Sequence, residues 1–236
     1  MPISVIIPAY GHAEFLLESI TSVLVSSPEV VGQLVVVADG DRECYGVSKA
    51  VDDVRVLSLL LESNNGSYIA QNTGIRHASC DWITFVGADD ILAPRRLERM
   101  LELAESVGPK AVVNSWHKKL FEGGTLGKMN TEALGGVFMY HRSMLAELGG
   151  FRAWPCTADS DLYWRAMRNR GRRAVVMRPL YLYRQHGDQL TKREDTAFGS
   201  DARKRYELMA RGSKEIFVEA ATGAIEEQTP AQQGVV

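Results

Sequence analysis

Cysteine is scarce in this chain. Only Cys44, Cys80 and Cys156 occur among its 236 residues. Their number is odd and their spacing does not match that of a zinc site, which argues against a disulfide framework and against structural zinc. We therefore expect reduced thiols, as is usual for a protein of the cytoplasm.

Long apolar runs and an excess of charge of one sign are also missing. No run approaches the ~20 apolar residues that span a bilayer, and residues 1–8 lack the basic region and the cleavage site of a signal peptide. We expect no transmembrane segment and a cytoplasmic location, with peripheral contact to a membrane left open. The formal net charge of −2 does not suit a general polyanion binder, so nucleic acid is not an expected partner.

The first half of the sequence alternates short apolar runs with stretches of helical periodicity. The runs predict parallel strands, and the periodic stretches predict the helices between them. Pro94 is expected in the first turn of one further helix. The predicted strands are residues 3–7, 34–37, 54–61, 82–86 and 111–115, and the clearest helices are residues 13–24 and 67–77. This order predicts an α/β fold with a mostly parallel sheet and helices on both faces.

The second half of the sequence is less regular. A helix is expected over residues 160–170, followed by strands over residues 174–177 and 180–184. Residues 222–236 are rich in Gly, Gln, Glu and Pro, a composition that predicts a disordered tail.

Distinctive residues follow three of the predicted strands. Residues 8–10 follow the first strand, Asp39 the second, and Asp89 and Asp90 the fourth. Ligands of open parallel sheets bind beyond the carboxyl ends of the strands, so these groups should meet at one edge. Two adjacent carboxylates need a cation or a donor, and oxygen ligands suit Mg²⁺ or Mn²⁺, which bind diphosphates. A turn at Asp39 and a helix cap at Asp89 and Asp90 remain open alternatives.

Six segments form an ordered series of motifs over residues 3–191. They are ISVIIPAYGHAEFLLESITSVL (3–24), LVVVADGD (34–41), NNGSYIAQNTGI (64–75), WITFVGADDIL (82–92), GGFRAWPCTADSDLYWRAMRNRG (149–171) and YRQHGDQLT (183–191). Each resembles, in the same order, a motif of the family 2 glycosyltransferases. The resemblance implies the GT-A fold, which is a Rossmann-like sheet with a smaller acceptor-side subregion.

The resemblance implies which residues bind the nucleotide of a nucleotide-sugar donor. Pro8, Ala9 and Tyr10 would line the nucleoside pocket. Asp39 would accept a hydrogen bond from a base N–H, as in uracil, and this position favours UDP. Gln71 stands at a position that contacts the diphosphate.

The resemblance also implies the catalytic groups. Asp89 would be the main ligand of Mn²⁺ or Mg²⁺ and would reach the nucleotide through the metal. His186 would approach the same metal from the other side, and Asp90 is a further candidate ligand. Asp159 would be the general base that takes the proton of the acceptor, and the attack would invert the anomeric carbon.

The chain departs from the pattern of the family at four positions. Gly87 replaces the first acid of the Asp-x-Asp metal motif, and Ala38 replaces the first acid after the second strand. Gln71 stands where the family often has Arg, and Ala158 replaces the Glu before the presumed base. We expect weaker metal binding and a diphosphate contact without charge.

Trp154 and Arg152 precede the presumed base and are the expected acceptor-side residues. Trp154 would form a wall, and Arg152 would meet an acidic acceptor. We divide the domain into a nucleotide-sugar-binding half, residues 1–116, and an acceptor-binding and catalytic-base half, residues 117–221.

The predicted function is inverting transfer from a UDP-sugar to a hydroxyl or amine. UDP-GlcNAc is the donor that the habits of the family favour. A growing polysaccharide, a small molecule, a carrier-bound intermediate and a lipid-linked sugar are open as acceptors. One rival is a nucleotidyltransferase of related fold, which needs a Gly-rich basic loop that residues 8–12 do not provide. A second is a non-catalytic nucleotide-sugar-binding module, which the replacements at Gly87 and Ala158 favour.

Overall fold

The computed structural model describes residues 1–131, 135–187 and 189–212, so the tail predicted at residues 222–236 lies outside the described residues. The strands are β1 (Ile3–Ala9), β2 (Val31–Ala38), β3 (Val56–Leu60), β4 (Trp82–Phe85), β5 (Ile91–Leu92), β6 (Ala111–Leu120), β7 (Leu126–Asn130), β8 (Met139–His141) and β9 (Arg172–Arg184). The helices are α1 (Ala13–Ser26), α2 (Arg42–Lys49), α3 (Ser67–His77), α4 (Arg96–Val107), α5 (Arg142–Leu148), α6 (Ala158–Arg168) and α7 (Asp201–Arg211).

The strands form one mixed sheet in the order β3-β2-β1-β4-β8-β6-β9-β5, with β7 paired to β6. Strands β1 to β4 run parallel to one another, and β6 runs parallel to β9. Strand β8 is antiparallel to both of its neighbours, β4 and β6, and joins the two parallel groups. The predicted α/β architecture is confirmed. The predicted division at residue 116 falls inside β6, so both halves share the sheet.

The core lies on both faces of the sheet because successive side chains of a strand point to opposite faces. Val5 and Ile7 of β1 pack on the face that carries α1, α2 and α4, whereas Ile6 packs on the face that carries α3, α5 and α6. Helix α3 approaches β1 closely, since a Cβ on Gly74 would lie 2.4 Å from the Cγ2 atom of Ile6.

The structure differs from the prediction where local geometry is unusual. Arg95 adopts a left-handed conformation at φ 64° and caps α4, so Pro94 precedes the helix instead of opening it. Strand β9 is continuous over both predicted strands, and Pro179 falls where its pairing with β6 is irregular. Helix α6 begins two residues before the predicted residue 160 because Thr157, at φ 60°, forms its N-cap.

No helix in the described part of the chain is long and apolar enough to cross a membrane. Cys44, Cys80 and Cys156 are free and buried.

Candidate active site

The carboxyl ends of β1, β2 and β4 open onto a cavity of about 490 Å³. The loop after β9 and helices α3, α6 and α7 close its other sides. Eight of the predicted site residues line it: Pro8, Ala9, Tyr10, Asp39, Gln71, Asp89, Asp90 and Asp159. The convergence that the strand ends predicted is therefore present, and the cavity has the size of a ligand site.

Asp39 ties the end of β2 to the loop before α3. Its two carboxylate oxygens accept hydrogen bonds from the backbone N–H groups of Asn65 and Gly66, each at 2.8 Å. Burial raises the pKa of this carboxyl even though both amides lower it. Gly40 permits the contact, because its φ is +73° and a Cβ there would lie 2.4 Å from the backbone nitrogen of Asn64. The carboxylate keeps one further acceptor position on each oxygen.

Asp89 and His186 meet at the cavity edge. The Nε2 atom of His186 lies 2.8 Å from the Oδ2 atom of Asp89, and both side chains are largely buried. His12, at the start of α1, joins them, and one ligand atom from each residue lies within 4.8 Å of the other two. Two imidazoles and one carboxylate are a donor set that fits a divalent first-row metal ion.

Asp90 points away from this group. Its Oδ2 atom accepts a hydrogen bond from the Tyr181 hydroxyl at 2.6 Å, and its Oδ1 atom accepts one from the backbone N–H of Arg184 at 2.9 Å. Burial, then the charge of Asp89, raises the pKa of the Asp90 carboxyl. Arg96 stacks over the Tyr181 ring at 4.9 Å. The structure thus does not bring Asp90 to the cation position, because internal donors occupy both of its oxygens.

Asp159 lies in the first turn of α6 and faces the cavity. The hydroxyl of Tyr68, on α3, donates a hydrogen bond to its Oδ1 atom at 2.9 Å. Tyr68 is buried, and its ring packs against Phe151 with the centroids 5.5 Å apart. One carboxylate oxygen of Asp159 is therefore fixed by a rigid neighbour, and the other can accept a proton.

Two buried polar atoms at the cavity have no hydrogen-bond partner among the residues that the structure describes. They are the Oε1 atom of Gln71 and the Oγ1 atom of Thr157. Thr157 is only 2% exposed, and a β-branched residue in its left-handed conformation is strained. Unpaired buried polar groups are uncommon, so both atoms suit a ligand that makes hydrogen bonds.

Trp154 and Arg152 are not brought to the cavity. Arg152 lies 3.4 Å from the carboxylate of Asp161 and stacks over Trp154, whose ring contacts Tyr206 of α7. These contacts join the loop before α6 to the helices behind it. Pro155 is the residue of this segment that lines the cavity.

Arg165 is a largely buried residue that ties α6 to the loop before it. Its side chain bonds Asp161 at 2.7 Å and donates to the carbonyl oxygens of Leu148 and Gly150. The reason is its position four residues after Asp161, where both side chains fall on the same face of α6.

Several site residues escaped the sequence reasoning. His12 and Tyr68 lie inside segments that resemble the family, but neither is a motif residue. Tyr181 and Thr157 carry no local signal, because their roles depend on contacts between distant parts of the chain. The one clue to His12 in the sequence is that it immediately precedes the predicted helix at residues 13–24.

Comparison with known proteins identifies the family. The model of the family described as glycosyl transferase family 2 matches residues 4–171. This is the family that the motifs predicted, and the prediction is confirmed.

Curated relatives match only in part of their length. The succinoglycan biosynthesis protein ExoO of Rhizobium meliloti (strain 1021) is 27% identical over 180 residues, which are 76% of this chain and 47% of ExoO. The glycosyltransferase GlyG of Streptococcus pneumoniae serotype 4 is 26% identical over 118 residues, 49% of this chain and 39% of GlyG. The chain thus spans less than half the length of these relatives.

Among solved structures, residues 1–349 of TarS from S. aureus, in complex with UDP-GlcNAc, share the fold. The TM-score is 0.72 at 19% identity, and the match covers 96% of this chain and 68% of that one. The predicted GT-A fold is confirmed by this likeness.

Proposed function

This chain belongs to glycosyl transferase family 2, and we propose that it transfers a sugar from a UDP-sugar to a hydroxyl or amine with inversion, assisted by a divalent cation. The observation that supports this proposal is that Asp159 and Asp89 line one cavity, and that His186 contacts Asp89 at 2.8 Å. A base and a cation site on one cavity are what transfer from a nucleotide diphosphate requires.

The donor is proposed from the nucleotide side of the cavity. Pro8, Ala9 and Tyr10 form its wall, and Asp39 offers the acceptor positions that remain on its oxygens to a base N–H. Gln71 supplies a buried amide oxygen, Oε1, that has no hydrogen-bond partner in the described part of the chain. TarS was solved with UDP-GlcNAc and with UDP, which supports UDP-GlcNAc as the first donor to test.

Asp159 acts as the base in the proposed reaction. Tyr68 holds Oδ1, so Oδ2 accepts the acceptor's proton while the acceptor oxygen or nitrogen bonds to the anomeric carbon. The bond from that carbon to the diphosphate breaks, and UDP leaves with the electron pair. Attack from the side opposite the leaving group inverts the carbon. General-base catalysis of this kind contributes roughly 10²–10⁴-fold.

Asp89 and His186 are the proposed holders of Mn²⁺ or Mg²⁺. Their atoms already lie 2.8 Å apart and are partly shielded from water. A divalent ion bound there would stabilise the negative charge of the departing diphosphate as a Lewis acid.

The acceptor is proposed by class only. ExoO is named for succinoglycan biosynthesis, so sugar chains are the first acceptors to test. Lipid-linked sugars, carrier-bound intermediates and small molecules follow in the same panel. The free, buried cysteines fit the proposed cytoplasmic location.

The test is a panel of nucleotide-sugars with and without Mn²⁺, read as release of nucleoside diphosphate. Asp159→Asn should lower the rate of transfer roughly 10²–10⁴-fold and leave UDP affinity within twofold. Asp201→Asn is the matched control, since Asp201 is exposed on α7, and it should keep full activity. Nucleotide binding without turnover by the unaltered protein, for every donor and acceptor, would replace the enzyme with a binding module.

A further inference from the structure

We propose that His12 is a third protein ligand of the cation site and that it makes the site prefer Mn²⁺ to Mg²⁺. The catalytic role of this site rests on the proposed function, but the identity of its ligands and its preference among metal ions do not. The observation is the group of His12, Asp89 and His186, whose ligand atoms lie within 4.8 Å of one another.

The three side chains need little movement to share an ion. Metal–ligand bonds of about 2.1 Å place neighbouring ligand atoms roughly 3 Å apart. Asp89 and His186 already meet this spacing, at 2.8 Å. The rings of His12 and His186 lie edge to face with their centroids 4.8 Å apart, so a rotation of the His12 side chain brings its nitrogen in.

His12 is available for this role because its side chain does not cap its helix. It is the N-cap residue of α1, yet it makes no side-chain cap hydrogen bond, and its backbone oxygen accepts from Phe15 and Leu16. The Phe15 ring packs beside both imidazoles, at 6.4 Å from His12 and 5.4 Å from His186. Aromatic packing thus holds the two rings near each other without occupying a ring nitrogen.

The backbone at Gly87 explains why a ligand from α1 is needed. A Cβ on Gly87 would lie 2.5 Å from Oδ2 of Asp90 and 2.7 Å from Oδ1 of Asp89. Any acid at this position would therefore displace both neighbouring carboxylates. A second acidic ligand does not come from this turn in its present conformation, and His12 offers a third ligand atom within 4.8 Å of those of Asp89 and His186.

The types of ligand atom at the site determine which metal ion it prefers. Mg²⁺ prefers carboxylate, carbonyl and water oxygens in octahedral geometry, whereas imidazole suits the first-row transition metals. One carboxylate and two imidazoles thus favour Mn²⁺, and also Co²⁺ or Zn²⁺, over Mg²⁺. Loss of His12 would leave one imidazole and reduce this preference.

The test is direct titration of the metal-free protein with Mn²⁺ and with Mg²⁺ by calorimetry, without donor or acceptor. We expect the unaltered protein to bind Mn²⁺ at least tenfold more tightly than Mg²⁺. His12→Gln should weaken Mn²⁺ binding by at least tenfold and change Mg²⁺ binding by less than threefold. His77→Gln, an exposed histidine on α3, is the matched control and should change neither.

Nitrogen couplings in the pulsed EPR spectrum of bound Mn²⁺ provide a second measurement. The unaltered protein should show two coordinated imidazoles and His12→Gln one. His12→Asp, which keeps a ligand in place, should shift the preference toward Mg²⁺. Unchanged Mn²⁺ affinity in His12→Gln, or a single imidazole in the unaltered protein, would overturn the proposal. Neither measurement needs turnover, so failure of the transferase assay is a separate result.

Discussion

Replacement of Tyr68 by phenylalanine tests whether a hydroxyl on α3 positions the base. The change removes the 2.9 Å hydrogen bond to Oδ1 of Asp159 and keeps the ring, which still packs against Phe151. A hydrogen bond to a charged group contributes about 1.5–3 kcal/mol. Because Asp159 faces a cavity that admits water, we take the lower end, about 1.5 kcal/mol, which is roughly tenfold in rate.

The expected result is therefore a kcat about tenfold lower with the donor KM unchanged, measured as UDP release at saturating acceptor. The Asp159→Asn background provides the control. There the Tyr68 hydroxyl no longer meets a carboxylate, so adding Tyr68→Phe should cost less than threefold. An equal loss in both backgrounds would refute positioning through Asp159, because the two effects would then be independent.

Three further predictions concern stability and reactivity. Asp39→Asn should lower the free energy of unfolding by about 1–3 kcal/mol in urea, because one of the two backbone N–H groups that bond the carboxylate loses its acceptor and faces an NH₂ group. An unchanged midpoint would contradict this. Gly74→Ala should destabilise the protein by about 1–2 kcal/mol, because the added Cβ would press on Ile6. Gly46→Ala should instead stabilise the protein by about 0.5–1 kcal/mol, because there is open space around Gly46 and alanine favours the helix. Burial raises the pKa of Cys44 to about 11 from 9.0, so the folded state holds the thiol proton more tightly than the unfolded chain does. Alkylation of Cys44 in the folded protein should therefore stay slow up to pH 10. The contribution of the protonated thiol to the free energy of unfolding should disappear as the pH rises from 9 through 11. Fast labelling of Cys44 at pH 8 would contradict its burial.

Local signals were sufficient for much of the nucleotide half. Helix α3 occupies residues 67–77 as predicted, because an Asn-Gly turn precedes a stretch of helical spacing. Strand β8, by contrast, has three residues and pairs with β4 and β6 from opposite sides. Its position depends on partner strands that are far away in the sequence. A segment of three residues is too short to show the alternation of apolar and polar residues that predicts a strand.

The site was predictable to the level of strand ends and no further. Asp39 and Asp89 converge because the carboxyl ends of parallel strands lie at one edge, whereas Asp159, on α6, was predicted from the family resemblance alone. The donors that hold these carboxylates were not predictable. Tyr68 lies 91 residues before its partner Asp159. Only the folded chain shows that such pairs meet.

The two adjacent acids after β4 illustrate this limit, since sequence reasoning treated them as a pair. Both acids line the cavity, but the two oxygens of Asp90 accept internal hydrogen bonds, one of them from the backbone N–H of Arg184, two residues before His186. Arg184 in turn donates to the backbone oxygen of Asp89 at 2.7 Å. Asp90 therefore fixes the end of β9 that presents His186 to Asp89. Replacing Asp90 should therefore weaken metal binding without removing a ligand. A loss of affinity alone does not distinguish a residue that binds the metal from one that positions a ligand. The number of coordinated imidazoles, measured by pulsed EPR, distinguishes these two roles.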